Sequence, residues 1–286
     1  MPIAKLAPRE VASHKGNYGR VLIIGGSRGM AGAPALAGKA AQRSGAGLVT
    51  LAIPRSIQPT VAAFEPSYMT LGLGQADEDF LLADCKAEIL AAAANMEVIA
   101  LGPGLGNDLS TAKLVCDLYQ EVRLPMIVDA DGLNALAKAS RAIQYSGGPR
   151  ILTPHPGEFQ RLLGEPCGNV TSERARNARM LCRSDNNSRT IVVLKGHQTI
   201  VSDSQQYAVN QTGNPGMATG GTGDCLTGVI AGIVAQGLSP WEAARLGAHV
   251  HGLAGDLAAD ELGQTSLIAS DLIDYLPAAF SMLGVG

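Results

Sequence analysis

The sequence predicts an α/β fold of three layers, with helices on both faces of a mostly parallel central sheet that ends in antiparallel edge strands. Three observations lead there. Short runs rich in Val, Ile and Leu recur, each closed by a Gly- or Pro-containing turn: Val21–Gly25, Gly47–Ile53, Val98–Leu101, Met126–Val128, Ile151–Thr153 and Ile191–Leu194. Unbroken apolar runs of this length read as strands buried on both faces, the habit of parallel sheets. Helix-length stretches lie between them, at about 33–44, 79–94, 109–120, 131–139 and 171–183. Such alternation implies crossover units. After Thr190 the spacing tightens: strands near 190–195, 198–203 and 206–210 follow with short gaps, which predicts the antiparallel edge.

The last third reads as helical, at 224–236, 240–259 and 270–282, and no repeat, charge block or linker divides the chain. One domain over residues 1–286 is therefore expected. With 46% hydrophobic and 16% charged residues the chain can build a core, which excludes a disordered protein. The net charge of -3 points to neither nucleic acid nor an anionic membrane as partner. The five cysteines are odd in number and show no C-x-x-C spacing, so free thiols in a reducing compartment are expected. The first twenty residues lack an apolar signal region, and no segment offers about 18 uninterrupted apolar residues. A cytoplasmic protein is the expectation.

Ligands of open α/β sheets sit outside the carboxyl ends of the strands. The unusual residues collect there: Gly25-Gly26-Ser27, Gly102–Gly106, Asp129-Ala130-Asp131 and Thr153–Glu158. The strongest signal is Gly213–Asp224, a Gly-rich loop that opens the apolar helix beginning Cys225-Leu226. Glycines let amide groups converge on an anion, and the helix N-terminus adds its dipole. Asp224 falls in the first helical turn, placed to take a proton from an attacking hydroxyl; a plain N-cap is the alternative. Lys195-Gly196-His197-Gln198-Thr199 reads as a hairpin turn whose lysine reaches a phosphate, or equally as an ordinary charged turn. In Thr153–Phe159 two prolines stiffen a strand-to-helix junction, and His155 projects towards the rim as a ligand contact or a solvated turn residue. Asp129 is placed to touch a cation or hydroxyl, whereas Asp131 reads as an N-cap of a helix Gly132–Lys138.

Other patterns fail. Gly26-x-x-Gly29-x-x-Gly32 lacks dinucleotide spacing, and the next strand ends without an acidic residue for ribose. Gly32 to Ala40 mimics a phosphate loop with one residue too many and no Ser or Thr after Lys39. His249 and His251 point to different helix faces, and no zinc spacing exists. Cys225 and Trp241 are expected to pack.

Lys15–Gly19, Gly102–Gly106, Thr153–Glu158, Lys195–Thr199 and Gly213–Asp224, taken in this order, resemble the NAD(P)H-hydrate dehydratases. The matching blocks run from about residue 14 to about residue 276. The resemblance implies a ribokinase-like fold and dehydration of the S-epimers of NADH hydrate and NADPH hydrate, driven by ADP and giving AMP and phosphate. ADP is favoured over ATP because His155-Pro-Gly-Glu158 is the bacterial form of that block. By position the resemblance makes Asp224 the catalytic base and a hydrate contact. Gly220, Gly221, Thr222 and Gly223 become the anion hole. Lys195, Gly196, His197, Gln198, Thr199 and Gly223 become nucleotide contacts, and Ala33, Gly104 and His155 hydrate contacts. It further implies Mg²⁺, a homotetramer, and an epimerase on another chain, since only about 14 residues precede Lys15. The rival readings are a small-molecule kinase of the hydroxyethylthiazole or hydroxymethylpyrimidine type, sharing the anion hole and Asp224, and a non-catalytic nucleotide-binding protein.

Overall fold

The computed structural model describes residues 2–139 and 142–284. Its strands are β1 (Arg20–Ile24), β2 (Leu48–Pro54), β3 (Met69–Leu73), β4 (Val98–Leu101), β5 (Met126–Val128), β6 (Arg150–Leu152), β7 (Thr190–Leu194), β8 (Ile200–Ser202) and β9 (Tyr207–Val209). They form one sheet in the order β3-β2-β1-β4-β5-β6-β7-β8-β9. Pairing is parallel from β3 through β7 and antiparallel for β7–β8 and β8–β9, the expected arrangement.

The unbroken apolar runs follow from burial on both faces. In β1, Val21 and Ile23 enter one core while Leu22 and Ile24 enter the other, because strand side chains alternate. One face is covered by α1 (Gly32–Arg43), α8 (Thr222–Ala235), α9 (Pro240–Leu262) and α10 (Ala269–Met282). The other carries α3 (Lys86–Ala93), α4 (Leu109–Glu121), α5 (Ala130–Lys138), α6 (Pro156–Leu163) and α7 (Thr171–Arg183). A short α2 (Gln58–Ala62) follows β2.

Helix α8 buries every residue from Cys225 to Ala235. Each of its Val, Ile and Leu side chains contributes about 1.5–3 kcal/mol by leaving water. Small residues let it meet α1 backbone to backbone. A Cβ on Gly228 would stand 2.1 Å from the Ala37 carbonyl oxygen, and one on Gly232 would stand 2.6 Å from that of Ala41. The five cysteines are free, and Cys225 is packed against α10 as expected. Trp241 packs against the α8–α9–α10 core.

Several expectations need correction. The edge strand β3 escapes the apolar-run test because Met69 to Leu71 are partly exposed and Gly72 interrupts it. The stretch 79–94 is helical only from Lys86, after a 3-10 turn at Ala83–Cys85. Asp131 is not an N-cap: α5 begins two residues earlier, at Ala130, with Asp129 in the cap position and Asp131 in the first turn. The Lys15–Gly19 block forms a 3-10 turn at the amino end of β1, where Gly47 donates to Tyr18 and Gly19. It therefore serves the sheet at the end opposite the rim.

Candidate active site

Loops at the carboxyl ends of β1, β4, β5 and β6 are stitched into one rim. Gly26 N–H donates to the Pro103 carbonyl at 2.8 Å, and Ser27 Oγ to that of Gly104 at 2.8 Å. Gly106 N–H donates to Asp131 Oδ2 at 2.9 Å. Gly104 has φ +66° and lies so close to α1 that an added Cβ would meet the Ala33 Cβ at 3.0 Å. Ala33 and Gly104 are thus neighbours. Gly102 has φ +129°, and a Cβ there would stand 1.9 Å from the Asp129 carbonyl oxygen, so only glycine lets β4 turn over β5 at this point. Ala130, between the two aspartates, has φ +50°, a strained conformation held by its surroundings.

Asp129 is buried, and its carboxylate receives Lys195 Nζ at 2.7 Å and Thr227 Oγ1 at 2.9 Å. Burial alone would raise its pKa; Lys195 and the hydroxyl donors outweigh that and hold it below the usual carboxylate range. Glu158 Oε2 lies 3.7 Å from the same ammonium. Burial depresses the lysine, but the two carboxylates hold it above its ordinary value. A Cβ on Gly223 would come 3.2 Å from Lys195 Nζ and 3.3 Å from Asp129 Oδ2, so a glycine there leaves this ion pair room.

The Gly-rich loop enters α8 through Gly221, at φ +91°, where an added Cβ would meet Leu36 at 2.7 Å and Ala269 at 3.0 Å. Gly220 beside it faces open space. No side chain caps α8, so the amides of its first turn, at Thr222, Gly223 and Asp224, point into the site unpaired by a cap. Asp224 sits in that turn, and its carboxylate has no hydrogen-bond partner among the described residues. Burial, then Asp129, pushes its pKa up to about 7, with Lys195 opposing. The first-turn placement expected for Asp224 holds, and the plain N-cap alternative does not.

A cavity of about 420 Å³ lies on the other side of this turn. Lys195, Gly196, His197, Gln198 and Thr199 line it together with Thr222, Gly223 and His251. The β7–β8 turn is held in shape by Arg174 from α7, whose guanidinium donates to the carbonyls of Leu194, Lys195, His197 and Gln198. On the far wall, Asn214 Nδ2 donates to the Gly255 carbonyl and to Asp256, and an added Cβ on Gly252 would strike Thr212 Oγ1 at 2.3 Å.

His155 does not simply project outward. Its Nδ1 accepts from the amides of Gly157 and Glu158 and caps α6, while Glu158 returns a bond to the His155 amide in a capping box. The ring remains half exposed at the rim. Two residues that sequence reasoning passed over belong here. Arg174 shapes the β7–β8 turn, and its signal is only a cation on a helix. His251 is buried under α8, with Nε2 2.9 Å from the Thr222 carbonyl. A carbonyl only accepts, so the ring donates; burial pushes its pKa down to about 4 and keeps it neutral.

The described residues contain no group of three or more His, Cys, Asp or Glu side chains placed to hold a metal, and no helix among them is long and apolar enough to cross a membrane. The arrangement is ribokinase-like, similar to a ribokinase-like superfamily protein from Enterococcus faecalis at 28% identity and TM-score 0.81, covering 97% of this chain and 92% of that one. An ADP/ATP-dependent NAD(P)H-hydrate dehydratase from Bacillus subtilis, co-crystallised with ATP/Mg²⁺, is 34% identical with TM-score 0.80, covering 97% and 94% of the two chains. The bifunctional NAD(P)H-hydrate repair enzyme Nnr of Moorella thermoacetica is 46% identical over 276 residues, which are 96% of this chain and 51% of that protein. The chain thus spans about half the length of the curated relatives it matches. The family model for NAD(P)H-hydrate dehydratase matches residues 21–278, and the chain belongs to that family.

Proposed function

We propose that this chain dehydrates the S-epimers of NADH hydrate and NADPH hydrate, with ADP as phosphoryl donor and AMP and phosphate as products. The observation that carries the reading is Asp224: a carboxylate poised near neutrality, in the uncapped first turn of α8, whose Thr222 and Gly223 line a nucleotide-sized cavity.

In this reading Lys195 to Thr199 and Gly223 hold ADP in the cavity, and Gly220 to Gly223 present amides to the phosphoryl group in transfer. The hydrate lies against Ala33, Gly104 and His155. Asp224 takes the proton of the ring's C6 hydroxyl as that oxygen attacks the terminal phosphoryl of ADP and AMP leaves. The ring nitrogen's electron pair then expels phosphate from C6, and loss of the C5 proton restores the dihydronicotinamide. Lys195 is committed to Asp129 and Glu158, so its part is to fix the pocket's charge as much as to meet phosphate.

Mg²⁺ fits as an ion carried on the nucleotide. Asp129, Asp131 and Glu158 are already engaged, and Mg²⁺ is commonly held by phosphates and water with few carboxylates. Asp224 is the carboxylate left to approach it, and the ion would neutralise phosphate charge. A homotetramer, a separate epimerase supplying the S-epimer and a cytoplasmic location belong to the same proposal and rest on the family resemblance.

The test mixes the chain with NADH hydrate, Mg²⁺ and either ADP or ATP and follows the near-ultraviolet absorbance of NADH. Its return with ADP, and little with ATP, is expected. A stable phosphorylated alcohol as product would turn the reading to a small-molecule kinase, and nucleotide binding without turnover to a regulatory protein.

A further inference from the structure

We propose that the groove between α5 and α6 binds a phosphate of the dinucleotide hydrate through Lys138 and Arg161, an inference that rests on the functional reading above. The groove encloses about 440 Å³ and is lined by Asn107, Asn134, Ala137, Lys138 and Arg161. Asn134, Ala137 and Lys138 share one face of α5, three and four residues apart, and Arg161 stands on the last turn of α6. Ala137 keeps the groove open between the two cations.

Three observations point to an anion. Neither cation meets a carboxylate within ion-pair distance among the described residues; Lys138 Nζ reaches Asn107 Oδ1 at 3.5 Å, and Arg161 Nε donates to Asn134 Oδ1 at 3.0 Å. The amides orient them without neutralising them, and the rest of the guanidinium fork has no partner among the described residues. Such a fork matches phosphate oxygens in pairs. Second, the groove adjoins the hydrate rim. Asn134 Nδ2 donates to Asp131 Oδ1 at 3.3 Å, and the other oxygen of Asp131 receives the Gly106 amide. Third, the groove shares no lining residue with the nucleotide cavity. The other cations near the rim are spent: Lys195 on Asp129 and Glu158, Arg174 on the carbonyls of its turn. A substrate whose reacting ring is neutral carries its charge in its phosphates. With the ring at Asp224, those charges need cations outside the nucleotide cavity, and this groove offers them.

The experiment compares the full chain with Lys138→Ala, Arg161→Ala and Arg161→Glu in steady-state kinetics on NADH hydrate and NADPH hydrate. Both side chains are exposed, so unchanged melting temperatures check the fold. The KM for hydrate is expected to rise about tenfold for each cation removed, further for Arg161→Glu, with kcat and the KM for ADP little moved. An equal rise for both substrates puts the pyrophosphate in the groove; a rise confined to NADPH hydrate puts its 2′-phosphate there. Unmoved KM values in variants of an active chain overturn the groove alone. A parent chain that turns over neither hydrate overturns the functional reading, and the groove assignment with it.

Discussion

Asp224 is the residue on which activity and stability pull in opposite directions. Its folded pKa of about 7 lies above the ordinary 3.8, so between these values the folded chain holds a proton that the unfolded chain releases. Stability therefore falls as pH rises through that window. Asp224→Asn is expected to melt above the parent at about pH 8, with the gap closing near about pH 4. The same variant should lose turnover by about 10²–10⁴-fold, and the parent's kcat/KM should fall as pH drops below about 7, where the base is protonated. A flat profile, or an active asparagine variant, removes Asp224 from the chemistry. Lys195→Met leaves Asp129 as a buried charge without its counter-ion, and denaturant titration should show a loss of about 3–5 kcal/mol. Adding Asp129→Asn should return part of that stability and none of the activity. His251→Phe keeps the ring but removes its bond to the Thr222 carbonyl; kcat should fall more than nucleotide affinity, and an unchanged kcat would make His251 mere packing.

At the scale of elements, what was legible depended on whether a signal was local. Strands buried on both faces announced themselves as apolar runs, and the Gly213–Asp224 loop as a cluster of glycines before a helix. The edge strand β3 did not, because an edge has one partner and tolerates partly exposed residues and a glycine. The start of helix α6 was legible as the strand-to-helix junction at Pro154-His155-Pro156, where proline is at home in the first position of a helix, while its 8 residues are too few to show a period of their own. Asp131 looked like a cap because the left-handed Ala130, which lets α5 begin early, leaves no trace in residue type. Arg174 and His251 act across elements distant in sequence, so no window contains both the donor and what it holds. The α1–α8 seam gives the element-scale prediction. Gly228→Ala puts a methyl group where the Ala37 carbonyl stands and should cost about 1–3 kcal/mol or more, read from the thermal midpoint. Turnover should fall with it, because the helix that moves carries Asp224 and the amides proposed to receive the phosphoryl group.

For the molecule as a whole, the proposed function gives each side of α8's first turn a different ligand, and the sheet switches from parallel to antiparallel beside the cavity proposed for the nucleotide. The β7–β8 hairpin thereby supplies a turn that a parallel crossover could not place so tightly. The hairpin turn, the loop leading into α8 and helix α9 wall a cavity that a nucleotide would complete. ADP at about a hundred times its Kd should therefore raise global stability by about 2.7 kcal/mol. A thermal shift series with ADP, ATP and AMP checks this, and no shift with any of them would leave the cavity without its proposed occupant.

The backbone-on-backbone contact between α1 and α8 has a mechanical consequence. Where Gly228 and Gly232 lie against the carbonyls of Ala37 and Ala41, the two helices meet with almost no void between them. Hydrostatic pressure acts on proteins by eliminating internal voids, and a seam without voids has little volume to give up. The first turn of α8 is thus mounted on a tightly packed seam, and compression should distort the loop-built walls of the neighbouring cavity well before it displaces that turn.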